Sequence, residues 1–384
     1  MGALLAASAN PASAQGMADW TIAPPSFPLG AAELTLHGDA TGALFGAGPG
    51  NSNQISGAFR LKPVLRRDYD SGLALSLEGI LTAADPLARG RYDGDALERL
   101  AGVARTGLGT LQVGLADGAG YELAVTGPRV DPAVSLNDSR IHFLRNGAGG
   151  RAMADTFALD TPVGASSNYA KFVYASPEIF GVQLALSYTP GEGKQLPFLN
   201  AGPHVPGRAA AIWEAALRVA QDIGPVSLSA YLATAQARGE HKLPGQHGLN
   251  DTGFGVRADY YLNDTITLSL GGAYRTSNAH GFDIHQSYGG TATRATHLSG
   301  MVSDGTWSAG LEYGNGVAAA VPGAPRIGLD GLQATLGYQV SRSIQVNTGW
   351  QHQRYERASG TFFNGRPGLT MDTLFLNVSL KDAE

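Results

Sequence analysis

Six basic side chains, Arg60, Lys62, Lys171, Arg218, Arg257 and Arg275, stand at alternate positions in segments whose intervening positions are apolar. A strand pleat has a period of two. With Ile55, Gly57, Phe59 and Leu61 on one face, Arg60 and Lys62 therefore share the other. Phe172 and Tyr174 leave Lys171 opposite them, Leu217 and Val219 do the same for Arg218, and the count extends to Arg257 and Arg275. Glu78, Glu214, Asp259 and Glu312 fall on the same polar face. The chemistry open to such a set is electrostatic, with fixed charges of both signs facing water.

Covalent and metal chemistry find less support. Zero cysteines remove thiol nucleophiles, disulfides and thiolate metal sites. His280, His285 and His297 lack ligand spacing and a third fixed donor, so they read as solvated histidines. Acidic loop residues would hold Ca²⁺ only if several oxygens converged, which a sequence does not reveal. No metal or cofactor is assigned. Gly191-Glu192-Gly193-Lys194-Gln195 and Gly147-Ala148-Gly149-Gly150 lack the spacing and the strand-turn-helix setting of a phosphate or dinucleotide site. Ser299 and His297 share a strand face, but no activating third residue accompanies them. A net charge of -5 offers no basic footprint for nucleic acid.

The elements that must position the charges are strands. Ile344, Val346, Thr348 and Trp350 alternate with Gln345, Asn347 and Gly349, and the same pattern recurs in segments of about ten residues separated by Gly, Asp and Asn. Both faces are solvated, by lipid on one side and water on the other. Only a closed barrel satisfies every backbone N–H and C=O inside a bilayer without an exposed edge. The 384 residues are 43% hydrophobic but 15% charged, below the roughly one quarter of a soluble domain, and no run approaches the apolar length of a membrane helix. Any one segment fits a sandwich strand equally well; their accumulation selects an all-β, transmembrane antiparallel barrel.

Sixteen strands are predicted, at 33–44, 54–65, 72–82, 97–106, 110–116, 168–175, 182–188, 210–221, 226–235, 252–261, 265–276, 294–302, 306–314, 331–340, 343–355 and 371–380. Short polar turns alternate with longer connections such as 239–250, 279–293 and 315–330, as periplasmic turns alternate with extracellular loops. Tyr174, Tyr188, Tyr260, Tyr261, Tyr274, Tyr313, Tyr338, Trp350 and Tyr355 cluster near strand ends, where interfacial girdles form. Residues 1–14 read as a signal-peptide remnant with cleavage before Gln15, and residues 20–30, rich in Pro, as an irregular start of a single domain spanning 15–384. The break in alternation at 117–166 is too long for a hairpin loop. It carries Asp117, Glu122, Asp131, Asp138, Asp155 and Asp160 together with Arg129, Arg140, Arg145 and Arg151.

Ser167-Asn168-Tyr169-Ala170-Lys171-Phe172-Val173-Tyr174-Ala175-Ser176-Pro177-Glu178-Ile179-Phe180-Gly181 resembles the strand and turn that follow the constriction loop of Gram-negative general porins. Upstream, Arg105-Thr106-Gly107-Leu108-Gly109-Thr110-Leu111-Gln112-Val113-Gly114 resembles the hairpin that enters that loop. Two positions depart from the family. Leu115 stands where such porins commonly carry Arg, and Leu380 is followed by Lys381-Asp382-Ala383-Glu384 where they usually end on an aromatic residue.

The resemblance implies an outer-membrane general diffusion porin of a Gram-negative bacterium, a homotrimer in lipid that passively admits small hydrophilic solutes and ions. It implies that 117–166 folds inward as a constriction loop, with Asp131, Asp138, Asp155 and Asp160 facing the basic wall residues Arg60, Lys62, Lys171, Arg218, Arg257 and Arg275. Catalysis is not expected. A solute-specific channel, a barrel enzyme acting on lipids and a secreted β-adhesin remain the alternatives.

Overall fold

One strand lane closes on another 340 residues away, and this closure decides the architecture. The structure is a computed structural model. It describes residues 21–47, 54–84, 96–136, 159, 161–164, 166, 169–191, 211–237, 248–278, 293–318, 326–357 and 367–382. Its strands are β1 (Ser26–Leu29), β2 (Ala32–Ala47), β3 (Gln54–Asp68), β4 (Ala74–Ala84), β5 (Leu97–Thr106), β6 (Gly109–Leu115), β7 (Ala170–Ala175), β8 (Val182–Thr189), β9 (Ile212–Ile223), β10 (Val226–Ala237), β11 (Leu249–Tyr261), β12 (Thr267–Ser277), β13 (Thr293–Ser303), β14 (Trp307–Ala318), β15 (Ile327–Ser341), β16 (Ile344–Arg357) and β17 (Gly368–Lys381). One short helix, α1 (Ala119–Glu122), lies between β6 and β7.

Each strand from β2 to β17 pairs antiparallel with its sequence neighbours, and β17 returns to β2 with Lys381 opposite Asp39 and Thr373 opposite Ala47. The wall is therefore a closed barrel of sixteen lanes. β1 adds no seventeenth. It pairs with residues 32–35 of β2, on the edge that β17 occupies further along, so it extends the β17 lane. After β17 the Asp382 carboxylate accepts from the Gly38 N–H at 3.0 Å and lies 3.1 Å from His37 Nδ1, fastening the seam.

The predicted strands correspond one to one with β2–β17, and two local expectations differ. The Pro-rich 20–30 stretch was expected to be irregular, yet Ser26–Leu29 is a strand; Pro28 is tolerated because β1 lies on an edge. The 315–330 and 239–250 connections are shorter than expected, since β14 runs to Ala318, β15 starts at Ile327 and β11 at Leu249. Backbone ladders carry those strand ends, including Gly316 and Gly328, so apolar alternation is not needed there.

The outer face exposes Ile55, Leu184, Leu232, Leu270, Leu311, Leu336 and Leu374, while neighbours one residue away, such as Ser56, Ala185, Ser269, Glu312 and Thr335, are buried within the barrel. A charge on the lipid side would cost roughly 2 to 4 kcal/mol at midplane, which explains the sorting. Outer aromatics pair across lanes: Tyr188 with Trp213 and Trp307 with Tyr338, each at 4.5 Å between centroids. Tyr355 leaves the expected girdle. It steps along the inner face with Gln351 and Gln353, is fully buried, and donates to Gln353 Oε1 at 2.6 Å.

β6 and β7 have seven and six residues, against sixteen in β2 and fifteen in β3. The wall is lowest where the chain leaves β6 and re-enters at β7. That notch admits the connecting segment to the interior.

Candidate functional site: the inner wall and the segment laid against it

From residue 117 the chain turns inward and crosses the inner faces of successive strands. Its start is fixed by Glu214 on β9. One carboxylate oxygen accepts from the Ser166 N–H at 3.0 Å, while the other accepts from the Gly120 N–H and Ser187 Oγ, each at 3.3 Å. The approach is so close that a Cβ on Gly118 would lie 1.9 Å from this carboxylate. Further on, the Val125 carbonyl packs against Gly255 of β11, where an added Cβ would lie 1.9 Å from its oxygen. Arg129 then reaches Glu312 of β14 at 3.6 Å.

Asp131 marks the far end of this course. Its carboxylate accepts from the Ala133 N–H at 2.8 Å and from Asn377 Nδ2 of β17 at 2.9 Å. Burial pushes the carboxyl above its ordinary range, against the lowering effect of those N–H donors. Around it, inward amides of β15 and β16 bind the segment's carbonyls. Gln345 donates to Val130 at 3.1 Å, Gln333 to Val134 at 3.0 Å, Gln351 to Ser135 at 2.9 Å and Gln353 to Leu136 at 3.2 Å. Each such bond contributes about 1 kcal/mol net, and an unmet buried carbonyl would cost more than that. Val134, Leu136, Leu159 and Val163 complete the seating by joining Phe45, Leu329, Met371 and Phe375 of the wall in one apolar cluster.

The segment therefore crosses the inner faces of β8–β17, leaving Arg218 and Arg257 partly exposed, and the inner faces of β2–β6 also retain partly exposed charges. Asp39 bridges Arg60 Nε and Lys62 Nζ, each at 2.8 Å, with both basic side chains about one-third exposed at 34%. Pairing between β3 and β4 lapses at Lys62 and Pro63, since Pro has no N–H to give. Arg105 meets Glu78 at 2.7 Å. Arg99 lies 3.2 Å from Glu122 and 3.7 Å from Asp117, joining the wall to the start of the segment.

The sequence-predicted residues thus divide into two groups. Arg60, Lys62, Arg218 and Arg257 stand on the inner face with partial exposure; Arg257 pairs with Asp259 at 2.9 Å, and Arg218 lies opposite Tyr231 and Gln183. Lys171, Arg275 and Asp131 point inward but are covered. Lys171 is fully buried and donates to the Ser166 carbonyl at 3.2 Å, and Arg275 forms a buried pair with Asp251 at 2.7 Å. Strand parity assigned the face of these wall residues, and the segment laid over them removes their exposure. Asp138, Asp155, Asp160, His280 and His285 lie outside the described residues. His297 of β13 is buried and paired with Glu312 at 3.0 Å, rather than solvated. Among the described residues no three His, Asp or Glu side chains gather as metal ligands do.

Sequence reasoning did not single out Asp39, Arg99, Asn377 or the glutamine row. One signal was available for the last: Gln345, Asn347, Gln351 and Gln353 fall at even spacings on β16, an amide stripe on a single face.

No curated protein sequence matches the chain. Solved structures do share its fold. OmpT of Vibrio cholerae in its trimer form, folded in vitro, aligns with a TM-score of 0.56 at 12% identity, covering 92% of this chain and 100% of that one. The anion-selective porin from Comamonas acidovorans gives 0.51 at 13% identity over 91% and 99%. A triply substituted variant of the Rh. blastica porin gives 0.52 at 17% identity, again over 91% and 99%. A sequence profile of Gram-negative porins matches residues 2–358. With that match and the closed sixteen-strand wall, the chain belongs to the Gram-negative porin family and forms an outer-membrane diffusion channel.

Proposed function

We propose that this is a general diffusion pore, with its water path running between the charged inner wall of β2–β6 and the segment that begins at residue 117. The segment narrows the path, and small hydrophilic solutes and ions cross it down their gradients with no covalent step. One observation carries this reading: the Asp131–Asn377 contact and the four glutamine amides hold the segment against β15–β17, while Arg60 and Lys62 keep partial exposure. A solute-specific channel would need an exposed aromatic track. Among the described residues Phe45, Tyr231, Tyr355 and Phe375 of the inner wall are buried and Tyr121 of α1 is exposed; the buried wall rings favour the general pore.

Selectivity is assigned to Arg60, Lys62, Arg218 and Arg257, with Asp39 as local counter-charge, and the acidic side of the transverse field to the segment, including Asp138, Asp155 and Asp160. Lys171, Arg275 and Asp131 act in seating the segment. Arg99, whose strand pairs with β6 beside Leu115, supplies a positive charge near the place where Leu115 carries none. Residues 15–384 act as one barrel, and the trimer form of the V. cholerae relative supports a homotrimer. Reconstitution in a planar bilayer tests the reading. Stepwise conductance is expected, and its absence from inserted protein would exclude an open pore.

A further inference from the structure

The short-turn rim of the barrel is divided into two arcs of different chemistry. The β3–β4, β13–β14 and β15–β16 turns expose Asp70 and Ser71, Asp304, and Arg342, with two amphipathic rings, Tyr69 and Trp307, beside them. The four consecutive turns between β5 and β12 instead carry Leu108, Ile179 with Phe180, Ile223 and Leu262, exposed by 80%, 57%, 92%, 63% and 54%. These lanes are neighbours in the wall, so the apolar tips form one continuous arc.

The tips are held rigidly. Phe180 has φ 52, a left-handed conformation that L residues disfavour, and Gly181 follows at φ 77. The Gly181 carbonyl accepts from the Ala220 N–H of β9 at 2.7 Å, and a Cβ on Gly181 would lie 1.9 Å from the Ala220 oxygen. On the neighbouring turn the Tyr174 hydroxyl donates to the Leu108 carbonyl at 2.7 Å. A tightly held, strained turn that keeps a phenylalanine almost wholly exposed is unfavourable in water. Apolar tips arranged in this way require an apolar medium.

We propose that this arc of turns is immersed in the periplasmic leaflet of the outer membrane, so that the barrel sits deeper in lipid on its β5–β12 side than on the opposite side. The arc is continuous with the lipid-facing wall directly above it, where Leu111, Tyr174, Val182, Leu184 and Leu228 are exposed in the same lanes. Glu178, Asp222 and Asp264 stand beside the tips, and Arg105 at the end of β5 is paired with Glu78. Acidic side chains repel an anionic lipid surface and fit the ammonium of a zwitterionic headgroup, so the partner is a zwitterionic phospholipid with Phe180 and Leu108 at its acyl–glycerol boundary.

The chain has no cysteine, so single-cysteine variants carry one spin label each. Phe180→Cys and Leu108→Cys report the apolar arc and Ser71→Cys the polar one, in vesicles of phosphatidylethanolamine and phosphatidylcholine, each variant first shown to give stepwise conductance. Power saturation should find labels at 180 and 108 relaxed more by oxygen than by a water-soluble nickel chelate, and the label at 71 the reverse. Equal nickel accessibility at all three positions would overturn the proposal. Labels at 180 and 108 reached by neither reagent would also overturn it, since a second copy of the chain would then cover the arc. If Phe180→Cys fails to insert, Leu108→Cys and Ile223→Cys decide the matter from the adjoining turns.

Discussion

Asp131 and Asn377, 246 residues apart, meet at 2.9 Å inside the barrel, the amide of the last wall strand donating to a carboxylate of the inward segment. The contact is built from both ends. Asn377 Oδ1 accepts from Thr41 Oγ1 at 2.7 Å, which leaves its Nδ2 directed at Asp131, and the Asp131 side chain is fixed by its own Ala133 and Val134 N–H groups. The wall thus presents a donor where the segment presents an acceptor.

Replacing that donor with a second acid should make the seating depend on pH. In Asn377→Asp two carboxylates face each other, and when both are ionised their repulsion drives the segment off the wall. Burial already raises the Asp131 carboxyl, and a like-charged neighbour raises the pair further, so one proton is taken up as pH falls. Single-channel conductance of Asn377→Asp should exceed that of the parent at neutral pH and return toward it in acid. The parent, lacking the second acid, should show no such return.

Arg60→Ala should shift the reversal potential under a salt gradient toward cation preference, because Asp39 then keeps only Lys62 as its partner. The charges act through water, so the shift should shrink as salt rises above about 0.1 M. Arg275→Ala tests the distinction between exposed and covered charge. It removes a buried partner from Asp251, so it should lower thermal stability, by about 3 kcal/mol or more, before it alters selectivity.

Gly255→Ala should unseat the segment, since the new methyl would lie 1.9 Å from the Val125 oxygen; it would also lie 2.8 Å from the Tyr231 ring of β10, which must shift, while β11 keeps its ladder. Conductance should rise, with a β-type circular-dichroism spectrum unchanged. Gly42→Ala, where nothing lies within 4 Å of the added Cβ, should match the parent in both measurements.

Much of this was legible in the sequence because a pleat has only two faces. Gln345 and Asn347 could be turned from lipid by counting, and the same count gave one strand to each lane of the wall. Periodicity fixes a face, but neither height nor cover. Lys171 and Arg275 therefore read like Arg60, although Ser166 and Asp251 enclose them. Tyr355 shows the opposite error: its place near a strand end suggested a girdle, while its parity with Gln351 and Gln353 pointed inward. The glutamine row was visible as a stripe. Its partners, the carbonyls of Val130 and residues 134–136, lie about 200 residues away in the chain, and no local pattern joins them.

The segment's narrowing of the pore is measured most directly by liposome swelling with neutral sugars of graded size. Deleting residues 131–155 removes the part held by Asn377 and by three of the four glutamine amides while leaving every wall strand in place. After equal insertion is confirmed, the deletion should admit larger sugars than the parent and conduct more. An identical size limit for the two would contradict the constriction assignment, leaving a barrel whose bottleneck lies elsewhere.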